Sequence, residues 1–241
     1  MVIAARRDSS ENDSSLKRNK IPKHALRQQY PNKHNHYRFQ DFFQFSAETG
    51  SIVDWNNSRA VLTSEDFIVG LMEGLEEEVG SSSAVIMYSI GLQWGKQDAE
   101  FFKEWYEAEY DYPLETSNSM FLLESWWWPF TAQGWGRWEV DLRDRKQGFL
   151  MVNLFDSVVA RTLGDVGKPV CHLYAGLYAG FFSFISRKDL NCIEIQCYSM
   201  GETYCKFLIG TPERLDAASF WLNEGATARD IEKRLQDGER L

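Results

Sequence analysis

The chain is short of histidine, of cysteine and of long apolar runs, and each shortage removes a class of function. Three of its four histidines (His24, His34, His36) fall near the N-terminus, which leaves little material for a Ser-His-Asp hydrolytic triad. The longest apolar stretch, Val170 to Ile185, is sixteen residues and contains His172. A bilayer-spanning helix needs about 20 apolar residues, so this stretch reads as a buried helix. There is no glycine-rich phosphate loop and no nicotinamide or flavin fingerprint. The N-terminus lacks the apolar core of an export signal, so the cysteines are expected in a reducing cytoplasm, which disfavours disulfides and favours metal.

Basic charge is scarce outside one segment. The net charge is −9, yet residues 1–35 hold eight Lys and Arg against three acids, so the remainder stands near −14. An acidic body argues against nucleic acid as a partner. The tail has too little apolar surface to offset its ordering entropy and reads as a disordered basic arm, followed by a single domain over 36–241. Such an arm is either a docking segment for anionic lipid or an acidic partner, or a solvated terminus.

Along the domain, Ser51–Trp55 and Arg59–Leu62 read as strands about an Asn56-Asn57 turn. A helix after Thr63 or Ser64 carries Phe67, Ile68, Leu71, Met72 and Leu75 on its apolar face. A long helix follows from Ser83 to about Tyr110, with Gly91 and Gly95 four apart for a close approach, and a third runs from Ser119 to about Thr131. Trp135–Leu142 and Gly148–Phe155 are alternating or apolar runs that read as antiparallel strands. Pro169 is expected to open a further helix, whose Ala175, Gly176, Ala179 and Gly180 suit tight packing on a sheet. Leu190–Tyr198 and Glu202–Ile209 form a last hairpin, and Glu213 onward is helical. Strands in antiparallel pairs with helices between them indicate an α+β fold, an antiparallel sheet packed against helices.

All four cysteines lie within a 35-residue window, as Cys171, Cys192, Cys197 and Cys205, with Glu194 among them. Clustered thiols in a reducing compartment point to metal. Zinc suits soft thiolates completed by a carboxylate, and four protein ligands make a closed, structural site. Three thiolates and a carboxylate on Zn²⁺ leave two negative charges, to be offset by backbone N–H groups, by Lys206 or Arg187, or with His172 as an outer partner. The other reading makes Cys171 and Cys192 ordinary buried thiols. On a regular strand Cys192 and Glu194 share a face that Cys197 does not, unless the strand bends near Gln196. Cys192 therefore stands as an alternative fourth ligand, and four thiolates would also admit an iron–sulfur cluster.

The run from Cys171-His172-Leu173-Tyr174-Ala175-Gly176 to Phe182, followed by Glu194-Ile195-Gln196-Cys197 and Gly201-Glu202-Thr203-Tyr204-Cys205-Lys206-Phe207, resembles the 4-vinyl reductase domain family. The resemblance covers roughly the stretch after Gly50 and is strong after Val140. With Gly134-Trp135-Gly136 and Val166-Gly167-Lys168-Pro169 it is most similar to stand-alone cyanobacterial members. It implies a small-molecule-binding α/β domain, shared with effector-sensing domains of bacterial regulators and distantly with a vesicle-tethering subunit. It implies zinc held by Cys171, Glu194, Cys197 and Cys205 within a subsite spanning 168–210.

Nine tryptophans are many for one domain, and Trp105, Trp126, Trp127, Trp128, Trp135 and Trp138 lie in one span. Three consecutive tryptophans on a helix point about 100° apart, so they cannot all face one core. The rings either fill a thick core or wall a cavity. The resemblance favours a cavity with Trp127, Trp128, Phe130, Trp135, Tyr174 and Tyr178 as walls, holding a tetrapyrrole, a chlorophyll precursor or another apolar molecule. The expected role is a non-catalytic binder in pigment supply or photosystem assembly, cytoplasmic or peripheral on the thylakoid membrane through the tail. The alternative is an interaction or assembly factor without ligand, a homodimer among the arrangements open to it. A vinyl reductase, the activity behind the family's name, comes third because it would need an electron donor. Deleting residues 1–35 is expected to leave the thermal unfolding midpoint unchanged; a large fall would show that the tail belongs to the core.

Overall fold

The computed structural model describes residues 43–54 and 58–239. The basic tail 1–35 and the Asn56-Asn57 turn lie outside them. A small sheet comes first, of β1 (Phe43–Ser46), β2 (Ser51–Asp54) and β3 (Arg59–Ala60), paired antiparallel in that order. The strand β1 is an addition to the sequence reading, whose first strand is Ser51–Trp55. Gly50 at φ +59° makes the turn into β2, a conformation that costs glycine no Cβ clash.

Helix α1 (Glu65–Val79) starts at Ser64, with Glu65 and Asp66 in its first turn, where acids suit the helix dipole. Its expected apolar face splits. Ile68 is 9% exposed whereas Phe67 is 61% and Leu71 42% exposed. Ile68, Met72 and Leu75, at i, i+4 and i+7, form the sheltered stripe, so the packed face is narrower than the apolar pattern suggests.

Helix α2 (Ser82–Tyr110) is the longest element, and α3 (Ser119–Ala132) follows a short 3-10 turn. Asn118 caps α3, its Oδ1 accepting the N–H groups of Met120 and Phe121 at 3.0 and 3.1 Å. The main sheet holds β4 (Arg137–Asp141), β5 (Phe149–Phe155), β6 (Asn191–Gln196) and β7 (Cys205–Gly210) in the order β4-β5-β7-β6, every pair antiparallel. Between β5 and β6 come α4 (Val158–Leu163) and α5 (His172–Ser186), and after β7 come α6 (Pro212–Asn223) and α7 (Ala228–Gln236).

The sheet is covered on both faces, and the two-residue period of β5 sorts its side chains accordingly. Leu150, Val152 and Leu154 join the larger core with α2, α3 and α5. Phe149 and Met151 join the smaller core with Leu215, Trp221, Ile231 and Leu235 of α6 and α7. The near-continuous apolar sequence of β5 follows from this double burial.

Pro169 does not open α5. The helix starts at His172 with Cys171 as its N-cap at φ −88°, ψ 37°, a non-helical backbone that stops the helix from reaching back to Pro169; the Cys171 N–H, free of any intrahelical bond, donates to Glu194 Oε2 at 2.9 Å. Residues Leu173 to Phe182 of α5 are all buried, as required of a helix with a sheet on one side and another helix on the other.

Gly176 and Gly180 pack against α2, not against the sheet. A Cβ on Gly176 would lie 2.0 Å from the Tyr88 carbonyl oxygen, and one on Gly180 2.4 Å from that of Leu92. The relation is reciprocal, since Cβ atoms on Gly91 and Gly95 would meet the Leu173 and Leu177 carbonyl oxygens at 2.1 and 2.2 Å. Two backbones in contact leave no room for any side chain at these four positions. Gly91→Ala or Gly176→Ala should cost about 3 kcal/mol or more in urea unfolding, because only backbone can give way. Gly74→Ala on α1, where nothing lies within 4 Å, should instead stabilise by about 0.5–1 kcal/mol. Equal effects at the two kinds of site would contradict the packing.

Candidate metal centre

Three connections meet at one buried spot: the N-cap of α5, the end of β6 and the start of β7. Cys171 caps α5, Glu194 projects from β6, Cys197 follows it and Cys205 opens β7. Gly201 at φ +83° closes the short turn between the last two. The strand bends where the sequence reading required it, because the β6–β7 register slips between Glu194 and Gln196. Such a bulge re-aims side chains, so Glu194 and Cys197 reach the same point.

The ligand atoms of Cys171, Glu194, Cys197 and Cys205 all lie within 4.8 Å of one another, and all four residues are buried. Cys192 is also buried but lies outside this group. The group therefore has three sulfurs and one carboxylate. The Cys205 sulfur lies 3.7 Å from both the Cys171 and the Cys197 sulfur. That is far beyond the about 2.05 Å of a disulfide, and it matches the edge of a tetrahedron, about 3.8 Å for metal–sulfur bonds of about 2.3 Å. Glu194 Oε2 accepts the Cys171 N–H, while Glu194 Oε1 is buried with no hydrogen-bond partner among the described residues. A buried carboxylate oxygen without a donor is costly. A cation there would satisfy it, so the donor set and the geometry fit a metal ion.

Electrostatics lead the same way. Burial pushes the Cys171 thiol and the Glu194 carboxyl up, and the Cys197 charge adds to the rise of Glu194. Hydrogen bonds from Cys171 and Cys205 hold Cys197 well down. At Cys205 the lowering effect of Cys171 is outweighed by Cys197 and by burial, and its thiol rises. Four acidic groups in contact thus ionise at one member and resist ionising at the others. A divalent cation removes that conflict by stabilising every anionic form at once.

The surrounding donors are partly those expected. The Tyr198 N–H donates to the Cys205 sulfur at 3.5 Å, Ser157 Oγ lies 3.4 Å from the Cys171 sulfur, and Ser199 Oγ lies 2.9 Å from that of Cys197. Lys206 and Arg187 do not offset the charge. Lys206 pairs with Glu232 at 2.8 Å and Arg187 with Glu115 at 2.9 Å. His172 has its pKa lowered, by burial first, so it adds little positive charge. Sequence reasoning missed Ser157 and Ser199. Ser199 sits in the Cys197–Cys205 loop, where spacing could have suggested it, whereas Ser157 lies 14 residues before Cys171 and becomes a neighbour only through the turn into α4.

The aromatic residues assemble beside this centre. Trp127 stacks on Phe130 and Trp138, with centroids at 4.7 and 4.8 Å, and Trp138 stacks on Tyr178 at 5.9 Å. The Tyr174 hydroxyl donates to the Trp135 carbonyl at 2.6 Å. Trp127, Phe130, Tyr174 and Tyr178 are buried, whereas Trp128 and Trp135 are half-buried. The first four therefore lie against one another in the core, and Trp135 stands at its edge. There it lines an apolar cleft of about 530 Å³ together with Phe43, Phe45, Ile52 and Ile68.

Residues 150–211, which hold all four ligand residues, match the model of the 4-vinyl reductase domain family. A protein of Methanocaldococcus jannaschii is 34% identical over 58 residues, 24% of this chain and 36% of that protein; the chain thus spans about a third of that relative's length. Among solved structures, the phenol-responsive sensory domain of the transcription activator PoxR superposes with a TM-score of 0.56 at 21% identity, over 70% of this chain and 84% of the other. That likeness is one of fold. A vinyl-4-reductase family protein of Methanocaldococcus jannaschii aligns more loosely, with a TM-score of 0.42 at 17% identity over 64% and 83% of the two chains.

If a metal joins these segments, a strong chelator should lower the unfolding midpoint of the wild type, because metal binding is coupled to folding. Cys192→Ser should keep that sensitivity, whereas Cys197→Ser and Cys205→Ser should unfold far more readily and respond no further to chelator. A chelator effect lost on replacing Cys192, and kept on replacing Cys205, would reverse the assignment.

Proposed function

Since this chain carries a 4-vinyl reductase domain over residues 150–211, we propose that it is a non-catalytic binding protein for a small hydrophobic molecule, with zinc bracing its ligand-binding fold. The observation that carries the reading is the apolar cleft at Trp135, about 530 Å³ and walled by Phe43, Phe45, Ile52, Leu62 and Ile68. A concave apolar site of that size is the usual setting for a small ligand. Trp127, Phe130, Tyr174 and Tyr178 form packed core behind Trp135 and back the cleft without lining it, so Trp135 is the ring that a flat molecule in the cleft would lie on. A tetrapyrrole such as a chlorophyll precursor has that shape, which sets the protein in pigment supply or photosystem assembly. The same fold serves a sensory domain that responds to phenol, another flat aromatic molecule.

Zinc is the metal that suits three thiolates and a carboxylate. With Cys171, Glu194, Cys197 and Cys205 as its four ligands it would supply cross-linking alone, because no position stays open for water or substrate. Among the described residues no helix is long and apolar enough to cross a membrane; the thylakoid contact in this reading is a peripheral one through the basic tail. A second reading, an assembly factor or homodimer that works without ligand, draws support from the exposed Phe67, Leu71, Val85 and Ile90 on α1 and α2.

A chlorophyll precursor such as protochlorophyllide should quench the tryptophan fluorescence of the folded protein saturably. Trp135→Ala should weaken that binding by about 1–3 kcal/mol while leaving the fold intact. Trp127→Ala, by contrast, should cost about 3–5 kcal/mol of stability. Saturable binding that ignores Trp135→Ala would move the ligand elsewhere, and no binding at all would favour the assembly factor.

A further inference from the structure

One face of α2 carries Trp94, Asp98, Phe101 and Trp105, at i, i+4, i+7 and i+11, so that a carboxylate interrupts a stripe of rings. This face looks into a cleft of about 540 Å³ bounded by α3 and by Asp54 and Arg59 of the small sheet. Asp98 is half-buried there, and its Oδ2 accepts the Trp126 indole N–H at 2.6 Å. Among the described residues Oδ1 has no hydrogen-bond partner, and no Lys or Arg pairs with the carboxylate. An amide or hydroxyl could accept the indole N–H without the cost of desolvating a charge. Burial pushes the Asp98 carboxyl up to about 6, against the lowering effect of the indole bond, so at neutral pH the cleft still holds an uncompensated anion. A carboxylate among tryptophan and phenylalanine rings offers a cation both a counter-charge and ring faces to lie on.

We propose that this cleft binds an organic cation, an ammonium carried on an apolar or aromatic body, with Asp98 as its counter-charge and Trp94, Phe101 and Trp105 as its ring walls. The site goes beyond the apolar-ligand reading: it shares Phe43, Ala60 and Val61 with the cleft at Trp135, but it selects charge where that cleft selects apolar surface. Arg59 at the rim repels a cation and sets an upper bound on affinity, whereas Asp54 on the same wall opposes that repulsion.

Calorimetric titration of the full chain with 2-phenylethylammonium, and with 2-phenylethanol as its uncharged counterpart, tests the assignment at pH 7.5. The ammonium should bind at least about tenfold more tightly than the alcohol. Asp98→Asn keeps an oxygen for the Trp126 indole and should erase the difference. Arg59→Gln, on the exposed rim, should tighten ammonium binding about threefold and decides the matter if the Asp98 variant fails to fold. Equal affinity for the two probes, absence of binding by the ammonium, or selectivity that survives Asp98→Asn would overturn the proposal.

Discussion

Contact between two helix backbones organises this molecule. Gly91 and Gly95 of α2 meet Gly176 and Gly180 of α5 so closely that a single methyl group at any of the four would overlap a carbonyl oxygen. That closeness fixes the separation and rotation of the two helices. It turns the opposite side of α5 onto the main sheet, and it sends the Trp94–Asp98–Trp105 face of α2 toward α3 and the small sheet. The aromatic layer then fills what remains: Trp126 lies parallel to Phe181 with centroids 3.4 Å apart, and Trp127 stacks against Phe130 and Trp138.

The N-terminus of α5 is fixed by different means. Its first free N–H goes to Glu194, and its capping residue supplies one of the three sulfurs gathered at the β6–β7 turn. A metal there would tie the helix to the hairpin at the point where glycine packing no longer reaches. The two devices divide one task along one helix, the glycines setting its depth against α2 and the cysteine cluster setting its register against the sheet. Neither the apolar cleft at Trp135 nor the charged one at Asp98 is lined by a residue of the cysteine cluster, and both are lined in part by the small sheet. A ligand in the Asp98 cleft would rest on α2 itself, one of the two helices in backbone contact.

Much of this was legible in the chain itself. The glycine pairs declared a close approach by their spacing, the strands β4, β5, β6 and β7 declared themselves as short alternating or apolar runs, and Cys171, Glu194, Cys197 and Cys205 by clustering and family likeness. What escaped did so for physical reasons. Spacing says that Gly176 and Gly180 need a close neighbour but not which one, so the sheet was expected where α2 stands. Phe67 and Leu71 are apolar, yet Ile68, Met72 and Leu75 already fill the packed stripe of α1. Pro169 is a favourable helix opener, but the backbone at Cys171 is not helical, so the helix begins at His172. Lys206 and Arg187 lie near the ligands in sequence, yet carboxylates 26 and 72 residues away claim them. Asp98 carried no sequence signal, since a lone acid on a long helix is ordinarily solvated; only the rings around it make it unusual.

X-ray absorption at the zinc edge, on protein purified without added metal, addresses the central claim that three sulfurs and one carboxylate oxygen hold an ion between α5 and the β6–β7 hairpin. The expected spectrum is that of zinc with three sulfur neighbours at about 2.3 Å and one oxygen at about 2.0–2.2 Å. Four sulfurs would bring Cys192 into the site and displace Glu194, and protein that is folded without any bound metal would contradict the claim outright.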